Sequence, residues 1–421
     1  MKIYADLHIH SKYSRATSNR MNIKELTKYA TIKGINLLGT GDFTHPKWIQ
    51  ELKENLEEDD SGILKTKDEF PFLLSSEISL MYSQGGKGRK VHNVILAKNF
   101  DIVTQITEVL KRRGRVDYDG RPIFGIPCPE FVEMMKEVDD SVEVFPAHIW
   151  TPWFGLLGSK SGFDTIKEGF QDQIKHIHAV ETGLSSDPEM NWRLSQLDKY
   201  SLVSFSDSHS CWPWRLGREM TVFDLDNLTY NNIINALKTK NGLEGTIEVD
   251  PAYGKYHYDG HRSCNVSLPP EESARLNKIC PVCKRPLTIG VDHRVEELAN
   301  RPLGYKPENA KPFTKLIPLA EIISTVQDVG IATNNMWKTY YDLINKFGNE
   351  MKVLLEADVE ELNKVVDEKL SRLIIKNRNQ DIEIIPGYDG VYGKPVLNSK
   401  KIKENKETKI TKRQSDLNDF F

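Results

Sequence analysis

Two histidines stand close to the start of the chain, in the segment ADLHIHSKYS that spans residues 5–14. If this segment begins with a β-strand, alternate side chains share one face, so His8 and His10 point to the same place. Leu7 and Ile9 then pack behind them. Two imidazoles aimed at one point can hold a metal ion, although two ordinary histidines on a polar strand give the same pattern.

Five further short motifs carry side chains of the kinds that bind metals. They are GTGDFTH with Asp42 and His45, SSEIS with Glu77, VHN with His92, PAHIW with His148, and FSDSH with Asp207 and His209. Imidazole and carboxylate groups suit zinc, manganese or iron, and one carboxylate can bridge two ions. Paired ions about 4 Å apart can activate water and hold a phosphate, so phosphoester hydrolysis needs no serine or cysteine nucleophile.

The elements expected around these motifs explain how they could meet. From residue 1 to about 245, β-like runs alternate with amphipathic helical runs, which favours βα units and a parallel sheet or barrel. The β-like runs are Lys2–His8, Leu37–Asp42, Phe72–Ile78, Val91–Ala97, Val142–His148, Ile177–Thr182 and Ser201–Asp207, and the first helical runs are Ile23–Lys33 and Trp48–Glu57. Most candidate ligands lie where a strand ends, which in an α/β barrel is the rim that carries catalytic sites.

The order of these motifs resembles the polymerase-and-histidinol-phosphatase (PHP) family of metal-dependent phosphoesterases, over about residues 1–240. The resemblance implies a distorted α/β barrel that binds two or three divalent ions, such as zinc, manganese or magnesium. The implied catalytic ligands are His8, His10, Glu77, His92, His148, Asp207 and His209, and Asp42 and His45 are implied as further metal ligands.

The sequence departs from this family pattern in two places. Arg15, Ala16 and Thr17 stand where many members have a ligand. Phe43 follows Asp42 where members have a Thr-Asp-His triplet, and the nearest histidine is His45. A different number of metals, or ligation by His45 from a shifted position, would accommodate the change.

The bulk composition excludes several classes of protein. With 39% hydrophobic and 28% charged residues, the 421-residue chain is expected to be a soluble globular protein with one dominant domain, residues 1–245. No apolar run approaches the roughly 20 residues needed to span a bilayer, and the start lacks a secretory signal, so we expect an intracellular protein. The net charge of −3 does not by itself indicate a polyanionic partner such as a nucleic acid.

Residues 246–300 are expected to form a small module with one structural zinc. The spacing His261-x2-Cys264-x15-Cys280-x2-Cys283 matches a closed tetrahedral site built from two knuckles. His257 and His293 are alternatives to His261 as the fourth ligand. Such a module stabilises a fold or binds nucleic acid, and the spacing does not separate these roles.

The remaining residues are expected to form a helical domain and a tail. Two helical stretches, Ala320–Lys346 and Glu350–Lys376, predict a mainly helical domain over residues 301–398. Residues 399–421 predict a disordered basic tail. Its last eight residues, 414–421, resemble the peptide that binds sliding clamps of the proliferating cell nuclear antigen type, with Gln414, Leu417, Phe420 and Phe421 as the implied contacts.

A clamp peptide would place the enzyme on DNA, which favours a phosphodiester substrate. The basic clusters Lys87–Lys90 and Lys111–Arg115 are candidate phosphate contacts or simply solvated faces. Tryptophans on rim loops could stack on bases or cap the barrel. The candidate base contacts are Trp150, Trp153, Phe154, Asp187, Asn191, Trp212 and Trp214.

Taken over its whole length, the chain resembles the endonuclease Q family. This resemblance implies a metal-dependent repair enzyme that nicks DNA on the 5′ side of uracil, hypoxanthine or xanthine, and at abasic sites. The damaged nucleotide would then turn out of the stack into a pocket between the barrel and the C-terminal modules. The alternatives are a PHP phosphatase of a small phosphomonoester and a clamp-tethered DNA-binding protein without activity.

Overall fold

A curled, ten-stranded mixed sheet forms the centre of the structure, a computed structural model that describes residues 1–396. The strands are β1 Lys2–Asp6, β2 Leu37–Gly39, β3 Leu64–Lys65, β4 Pro71–Gln84, β5 Lys87–Ala97, β6 Ile123–Phe124, β7 Glu143–Pro146, β8 Ala179–Glu181, β9 Ser201–Val203, β10 Met220–Asp224, β11 Leu243–Glu248, β12 Asp259–His261, β13 Val266–Leu268, β14 Phe313–Lys315, β15 Ile384–Ile385 and β16 Lys394–Pro395.

The order of the main sheet is β14-β11-β10-β1-β2-β4-β5-β7, and β3 and β6 also pair with β4. Strands β1, β2 and β4 run parallel, whereas β10 and β5 pair antiparallel with β1 and β4. Strands β8 and β9 form a separate parallel pair. The expected α/β fold with a distorted barrel is confirmed, and its sheet is mixed because β5 and β10 each join the parallel strands in antiparallel pairs.

The helices cover both sides of this sheet and form most of the C-terminal part. They are α1 Ile23–Lys33, α2 Pro46–Asn55, α3 Phe100–Lys111, α4 Cys128–Val138, α5 Ile166–Phe170, α6 Pro188–Trp192, α7 Tyr230–Thr239, α8 Pro270–Arg275, α9 Val291–Leu298, α10 Leu319–Gln327, α11 Asn334–Phe347, α12 Glu350–Leu355, α13 Val359–Leu362 and α14 Glu368–Arg378. Helix α1 has its predicted bounds, because Asn22 caps its start and Gly34, at φ 97°, ends it.

The central strands are buried on both faces. Leu37 packs in one hydrophobic cluster and its neighbour Leu38 in another, and Leu73 and Phe72 divide in the same way. Successive side chains of a strand point to opposite faces, so each strand contributes to two cores. The rigid sheet between these cores carries the polar residues at its rim.

The C-terminal part differs from its predicted layout. The two predicted helices of residues 320–376 are five shorter helices, α10 to α14, because capping residues such as Thr333 and Asp367 start new ones. Strand β14, from the segment predicted to begin the helical domain, pairs with β11 of the barrel sheet. Strand β14 therefore forms one edge of the main sheet.

Strands β12 and β13 build the small module that follows the barrel. Residues 384–395 return to it, since Tyr258 N donates to Gly387 O and Gly387 N donates to Ala252 O. Across residues 1–396, no helix combines the length and apolar character that a membrane crossing requires.

Candidate active site

Three parallel strands and the β4–β5 hairpin bring the predicted ligands to one rim of the sheet. The ends of β1, β2 and β4 are adjacent, which places His8, His10 and Asp42 near Glu77. In the β4–β5 register Glu77 opposes Val94, so His92, two residues away, is its diagonal neighbour on the same face. A bridge between Ile9 and Ser208 brings Asp207 beside the two N-terminal histidines.

Glu77 lies between two groups of potential metal ligands. Its Oε1 is 2.6 Å from His92 Nδ1 and 3.1 Å from His148 Nε2. Its Oε2 is 3.2 Å from His10 Nε2 and 3.6 Å from His8 Nε2. Asp207 Oδ1 joins the second group at 3.0 Å from His10 Nε2. One carboxylate thus faces two ligand groups, as a bridging ligand of two ions does.

Each N-terminal histidine is oriented by a carboxylate behind it. His8 Nδ1 lies 3.0 Å from both oxygens of Glu181, and His10 Nδ1 lies 3.0 Å from Asp42 Oδ1. A ring nitrogen that donates to a carboxylate leaves the other nitrogen free to accept. His8 Nε2 is buried and has no hydrogen-bond partner within residues 1–396, so the donor set fits a metal ion.

The predicted ligand Asp42 stands behind His10 and belongs to neither ligand group. Its Oδ2 accepts hydrogen bonds from Ser11 N, Ser11 Oγ and Ser14 Oγ at 2.6 to 2.9 Å. A Cβ on Gly120 would lie 2.2 Å from this same oxygen, so only glycine fits against it. With its oxygens occupied, Asp42 orients the ring of His10 in this structure.

The electrostatics of the buried site favour charged carboxylates. Burial alone would raise the pKa of Glu77, but the nearby His92 and Arg121 lower it well below its usual range. Burial would likewise lower the pKa of His8, whereas the carboxylates of Glu181 and Glu77 raise it well above its usual range. The carboxylate of Glu77 is therefore held in its anionic form, which attracts cations.

Three residues at the site have positive φ angles, a backbone conformation that residues other than glycine rarely adopt. Asp42, His148 and Asp207 have φ values of 48°, 27° and 46°. Such residues cost about 1–3 kcal/mol each and persist where the surroundings fix them. These positions follow strand ends and direct His148 and Asp207 into the ligand groups and Asp42 to the back of His10.

Two other predicted ligands lie nearby but outside both groups. His45 stacks on Tyr13, with ring centroids 4.5 Å apart, and burial lowers its pKa. The His209 ring lies 4.4 Å from that of His10, tilted by 49°, and its Nδ1 lies 2.9 Å from the carbonyl oxygen of Asp207. His209 borders the site, whereas His45 packs beside helix α2.

A cleft of about 800 Å³ opens above these groups. Trp153, which is 40% exposed, and Phe154 line it, and Tyr256 and Tyr392 complete an aromatic wall. The other predicted base contacts are not on this surface. Trp150 and Asn191 are buried and bonded to each other, Asp187 is buried with Lys315, Trp214 is buried, and Trp212 packs against it.

Several cations line the same cleft: Arg15, Arg121, Arg215, Arg218 and Lys255. Arg121 Nη1 lies 3.0 Å from Glu77 Oε2, inside the site. In the cluster 111–115, by contrast, Lys111, Arg113 and Arg115 pair with Glu108, Glu130 and Asp117. Their charges are therefore largely neutralised.

Two residues of this site were missed at the level of sequence. Glu181 ends strand β8, in the segment KHIHAVE. The position of the Glu181 carboxylate at the end of a predicted strand was the signal that could have identified it as a site residue. Arg121 lies in a loop and carried no comparable signal.

The structure also brings the four predicted zinc residues together. His261, Cys264, Cys280 and Cys283 offer ligand atoms that all lie within 4.8 Å of one another. Burial opposes ionisation of Cys280, but hydrogen bonds from the backbone N–H groups of Cys283 and Val282 lower its pKa to about 7. His293, an alternative fourth ligand, pairs with Asp259 instead, and the predicted clamp peptide 414–421 lies outside the described residues.

Relatives of this chain occur in bacteria and archaea. A family model described as the MJ0043 C-terminal domain matches residues 318–381. The uncharacterized protein MJ0043 of Methanocaldococcus jannaschii is 34% identical over 305 residues, which are 70% of this chain and 36% of that protein. The chain thus spans about a third of that relative. The uncharacterized protein YqxK of Bacillus subtilis is 31% identical over 411 residues, 93% of this chain and 99% of that protein.

Solved structures decide the family. The lesion-specific endonuclease PfuEndoQ from Pyrococcus furiosus is 31% identical, with a TM-score of 0.85 over 95% of this chain and 96% of that chain. This chain belongs to the endonuclease Q family. A structure of endonuclease Q in complex with a 27-mer duplex substrate carrying an abasic lesion at the active site has the same TM-score and identity, and covers 95% of this chain and 98% of that one. Endonuclease Q membership makes the chain an enzyme of the endonuclease class.

Proposed function

We propose that this chain is a metal-dependent DNA repair endonuclease that hydrolyses the phosphodiester on the 5′ side of a damaged nucleotide. Deaminated bases (uracil, hypoxanthine, xanthine) and abasic sites are the proposed lesions. One observation carries the proposal: Glu77 joins two metal-binding groups at the floor of an open cleft, in a chain of the endonuclease Q family.

His8, His10, Glu77 and Asp207 would hold one divalent ion, and Glu77, His92 and His148 a second. Bound ions would supply Lewis acidity and an activated water for attack on phosphorus. Glu181 and Asp42 keep His8 and His10 in the tautomers that can ligate, and Thr151 Oγ1, 3.0 Å from His148 Nδ1, does the same for His148. His209, beside His10, stands as a further proposed ligand.

Arg121 is the group of the chain itself that is best placed to bind the reacting phosphate. It lines the cleft, and one of its N–H groups donates to Glu77 while the side chain stays 26% exposed. Guanidinium groups match phosphate oxygens in a bidentate geometry. Arg121 would therefore orient the phosphate and stabilise the extra negative charge of the transition state.

The walls of the cleft have the two properties that a DNA contact needs. Arg15, Arg215 and Lys255 supply positive charge, and Trp153 and Tyr256 supply aromatic faces. Phosphate contacts position a duplex, and aromatic rings stack on bases that have left it. In the β4–β5 hairpin, Lys90 Nζ lies 5.5 Å from the ring centroid of Phe154, which lines the cleft, so Lys90 extends this positive surface.

A second cavity adjoins the cleft and is the proposed pocket for the damaged base. It measures about 350 Å³ and shares Leu184, Arg215, Arg218, Gly254 and Tyr392 with the cleft. Its other walls come from Tyr253 and from residues 318–331 of the helical part. A base can be inspected only after it leaves the stack, and arginine donors would suit the keto oxygens of deaminated bases.

The two remaining sites would support this activity from outside the barrel. The proposed structural zinc at Cys264, Cys280, Cys283 and His261 would fix the module that carries Tyr256 beside the cleft. The proposed clamp peptide, residues 414–421, would tether the enzyme to a sliding clamp on DNA.

The test uses the full chain with Mn²⁺, an end-labelled duplex with one uracil, its undamaged counterpart and an aryl phosphate. We expect a single nick 5′ to uracil, which is lost in His8→Ala and Asp207→Ala. Glu143→Gln is the matched control, because Glu143 is a buried carboxylate paired with His178 outside the site. Intact DNA together with phosphate released from the aryl ester would identify a small-molecule phosphatase instead.

A further inference from the structure

The loop of residues 206–217, here named the ligand loop, connects β9 to β10 and has two functional faces. Its first residues include Asp207 and His209, which border the proposed metal site. Its later residues include Trp212 and Trp214, which contact Trp337 of the helical C-terminal part. The same short segment thus joins the metal site to another part of the protein.

Asp6 closes the base of the ligand loop. Its carboxylate accepts hydrogen bonds from Ser206 N at 3.0 Å, Ser206 Oγ at 2.6 Å and Gly217 N at 2.9 Å. The two ends of the loop are therefore held together at strand β1. The outer part of the loop has to be fixed by other contacts.

A buried lysine provides one of these contacts. Lys33, the last residue of α1, is 1% exposed, and its Nζ donates to Pro213 O at 2.8 Å and to Glu350 Oε1 at 2.7 Å. Gly217 leaves room for this side chain, because a Cβ there would lie 3.1 Å from Lys33 Cγ. One ammonium group therefore links the backbone of the ligand loop to helix α12.

Glu350, the first residue of α12, connects the Lys33 ammonium group to helices α10 and α11 as well. Its Oε1 also accepts from Leu319 N at 3.0 Å, at the start of α10, and its Oε2 accepts from Tyr340 OH at 2.7 Å, on α11. Glu350 is fully buried. The position of Lys33 is therefore set by the packing of α10, α11 and α12.

Aromatic packing makes a second connection between the same partners. Trp212 and Trp214 stack with centroids 5.4 Å apart and planes 7° apart, and Trp337 of α11 lies 5.6 Å from each. Arg20 lies 4.5 Å above Trp212, and Tyr29 of α1 packs against its edge. The outer face of the ligand loop is enclosed by helices α1 and α11.

We propose that Lys33 and Glu350 are positioning residues, through which the docked C-terminal helices hold the ligand loop where Asp207 can bind its metal ion. A buried ion pair is often no more stable than a well-packed apolar pair, so stability alone does not call for it. Its directed bond to Pro213 O fixes a backbone position four residues beyond His209. The proposal rests on the proposed function only in assigning Asp207 to a metal site.

The experiment measures Mn²⁺ binding by calorimetry, which needs no DNA and therefore reports on positioning even if the proposed reaction is wrong. Lys33→Met should weaken one Mn²⁺ site about tenfold, the usual cost of losing an outer support of a metal ligand. Lys33→Arg should restore most of the affinity, because it can donate to both acceptors. Trp337→Leu removes the aromatic packing on Trp212 and Trp214 of the ligand loop, so it should also lower the Mn²⁺ affinity.

Arg301→Met is the matched control. Arg301 ties the C-terminal half to the barrel through Asp198 and Trp192 O, and it makes none of the contacts described above that fix the ligand loop. It should lower the melting temperature and leave Mn²⁺ affinity unchanged. On the uracil duplex, Lys33→Met should lower kcat and leave KM unchanged, provided that the wild type nicks.

Two results would overturn the proposal. One is wild-type Mn²⁺ affinity in folded Lys33→Met, or in Trp337→Leu should Lys33→Met not fold. The other is an equal loss of affinity in Arg301→Met at a matched loss of melting temperature. An inactive wild type with the expected Mn²⁺ pattern would refute the proposed function and leave the positioning role intact.

Discussion

Replacing Glu181 by glutamine tests the metal site at a residue that touches no proposed ion. Glu181 Oε2 accepts from His148 N at 2.7 Å, and both its oxygens lie 3.0 Å from His8 Nδ1. In Glu181→Gln the amide oxygen can keep the bond to His148 N, which places the amide N–H group against His8 Nδ1–H. His8 avoids this contact by moving its proton to Nε2, the nitrogen that faces Glu77 and Asp207.

The size of the effect follows from this change of tautomer. A protonated Nε2 cannot bind a metal, so His8 must return to the unfavourable tautomer whenever an ion binds. Loss of such a carboxylate behind a ligating histidine costs about 10–100-fold in metal affinity, or roughly 1.4–2.7 kcal/mol. The fold should change little, because glutamine has nearly the same shape and keeps the backbone hydrogen bond.

Mn²⁺ titration calorimetry on Glu181→Gln gives the affinity, and thermal unfolding with a chelator gives the stability. Nicking of the uracil duplex should recover as the Mn²⁺ concentration rises, because the catalytic groups themselves are intact. Glu143→Gln is the control, since the buried carboxylate of Glu143 also contacts a histidine, with Oε1 2.8 Å from Nδ1 of the partly exposed His178, away from the site. Wild-type Mn²⁺ affinity in Glu181→Gln would refute this account of His8.

Three further predictions concern other parts of the chain. Arg121→Met should lower kcat for nicking roughly 100-fold while Mn²⁺ binds no more weakly, because a phosphate-binding cation is lost beside Glu77; weaker Mn²⁺ binding would contradict this role. Cys280→Ser should lose the proposed structural zinc and several degrees of melting temperature, whereas Cys211→Ser should retain zinc by elemental analysis. Burial raises the pKa of Glu219 from 4.5 to about 8 and that of its neighbour Glu248 well above its usual range. Between pH 4.5 and about pH 8 the folded state holds a proton that the unfolded state lacks. The free energy of unfolding should therefore fall as the pH rises, by about 1.4 kcal/mol per pH unit for each such proton. Glu248→Gln should flatten this dependence in urea unfolding from pH 5 to 8, and an unchanged slope would exclude the pair as its source.

Local sequence signals predicted the elements near the site. Asn22 and Gly34 bound helix α1, and the apolar runs of residues 37–39 and 91–97 became buried strands. These signals depend on neighbouring residues only, so a single sequence carries them. The prediction of two long helices over residues 320–376 was wrong. It followed the apolar periodicity and gave too little weight to Thr333 and Asp367, which cap the starts of separate helices.

Roles that depend on distant contacts were harder to predict. Asp42 has the residue type of a ligand, yet its oxygens are taken by Ser11, Ser14 and His10. Trp150 has the residue type of a base contact, yet it is buried against Asn191. Residue type states what a side chain can bind, and only the packing around it decides what reaches it.

The sequence by itself determined the chemistry of this protein. The order of its histidines and carboxylates and the spacing of its cysteines predict two kinds of metal site, because ligand chemistry belongs to the side chains. The tertiary structure decided the geometry: which carboxylates stand behind His8 and His10, and how Lys33 meets Glu350 across 317 positions of chain. Such contacts arise only when strands and helices pack, since sequence separation places no limit on which rigid surfaces come together.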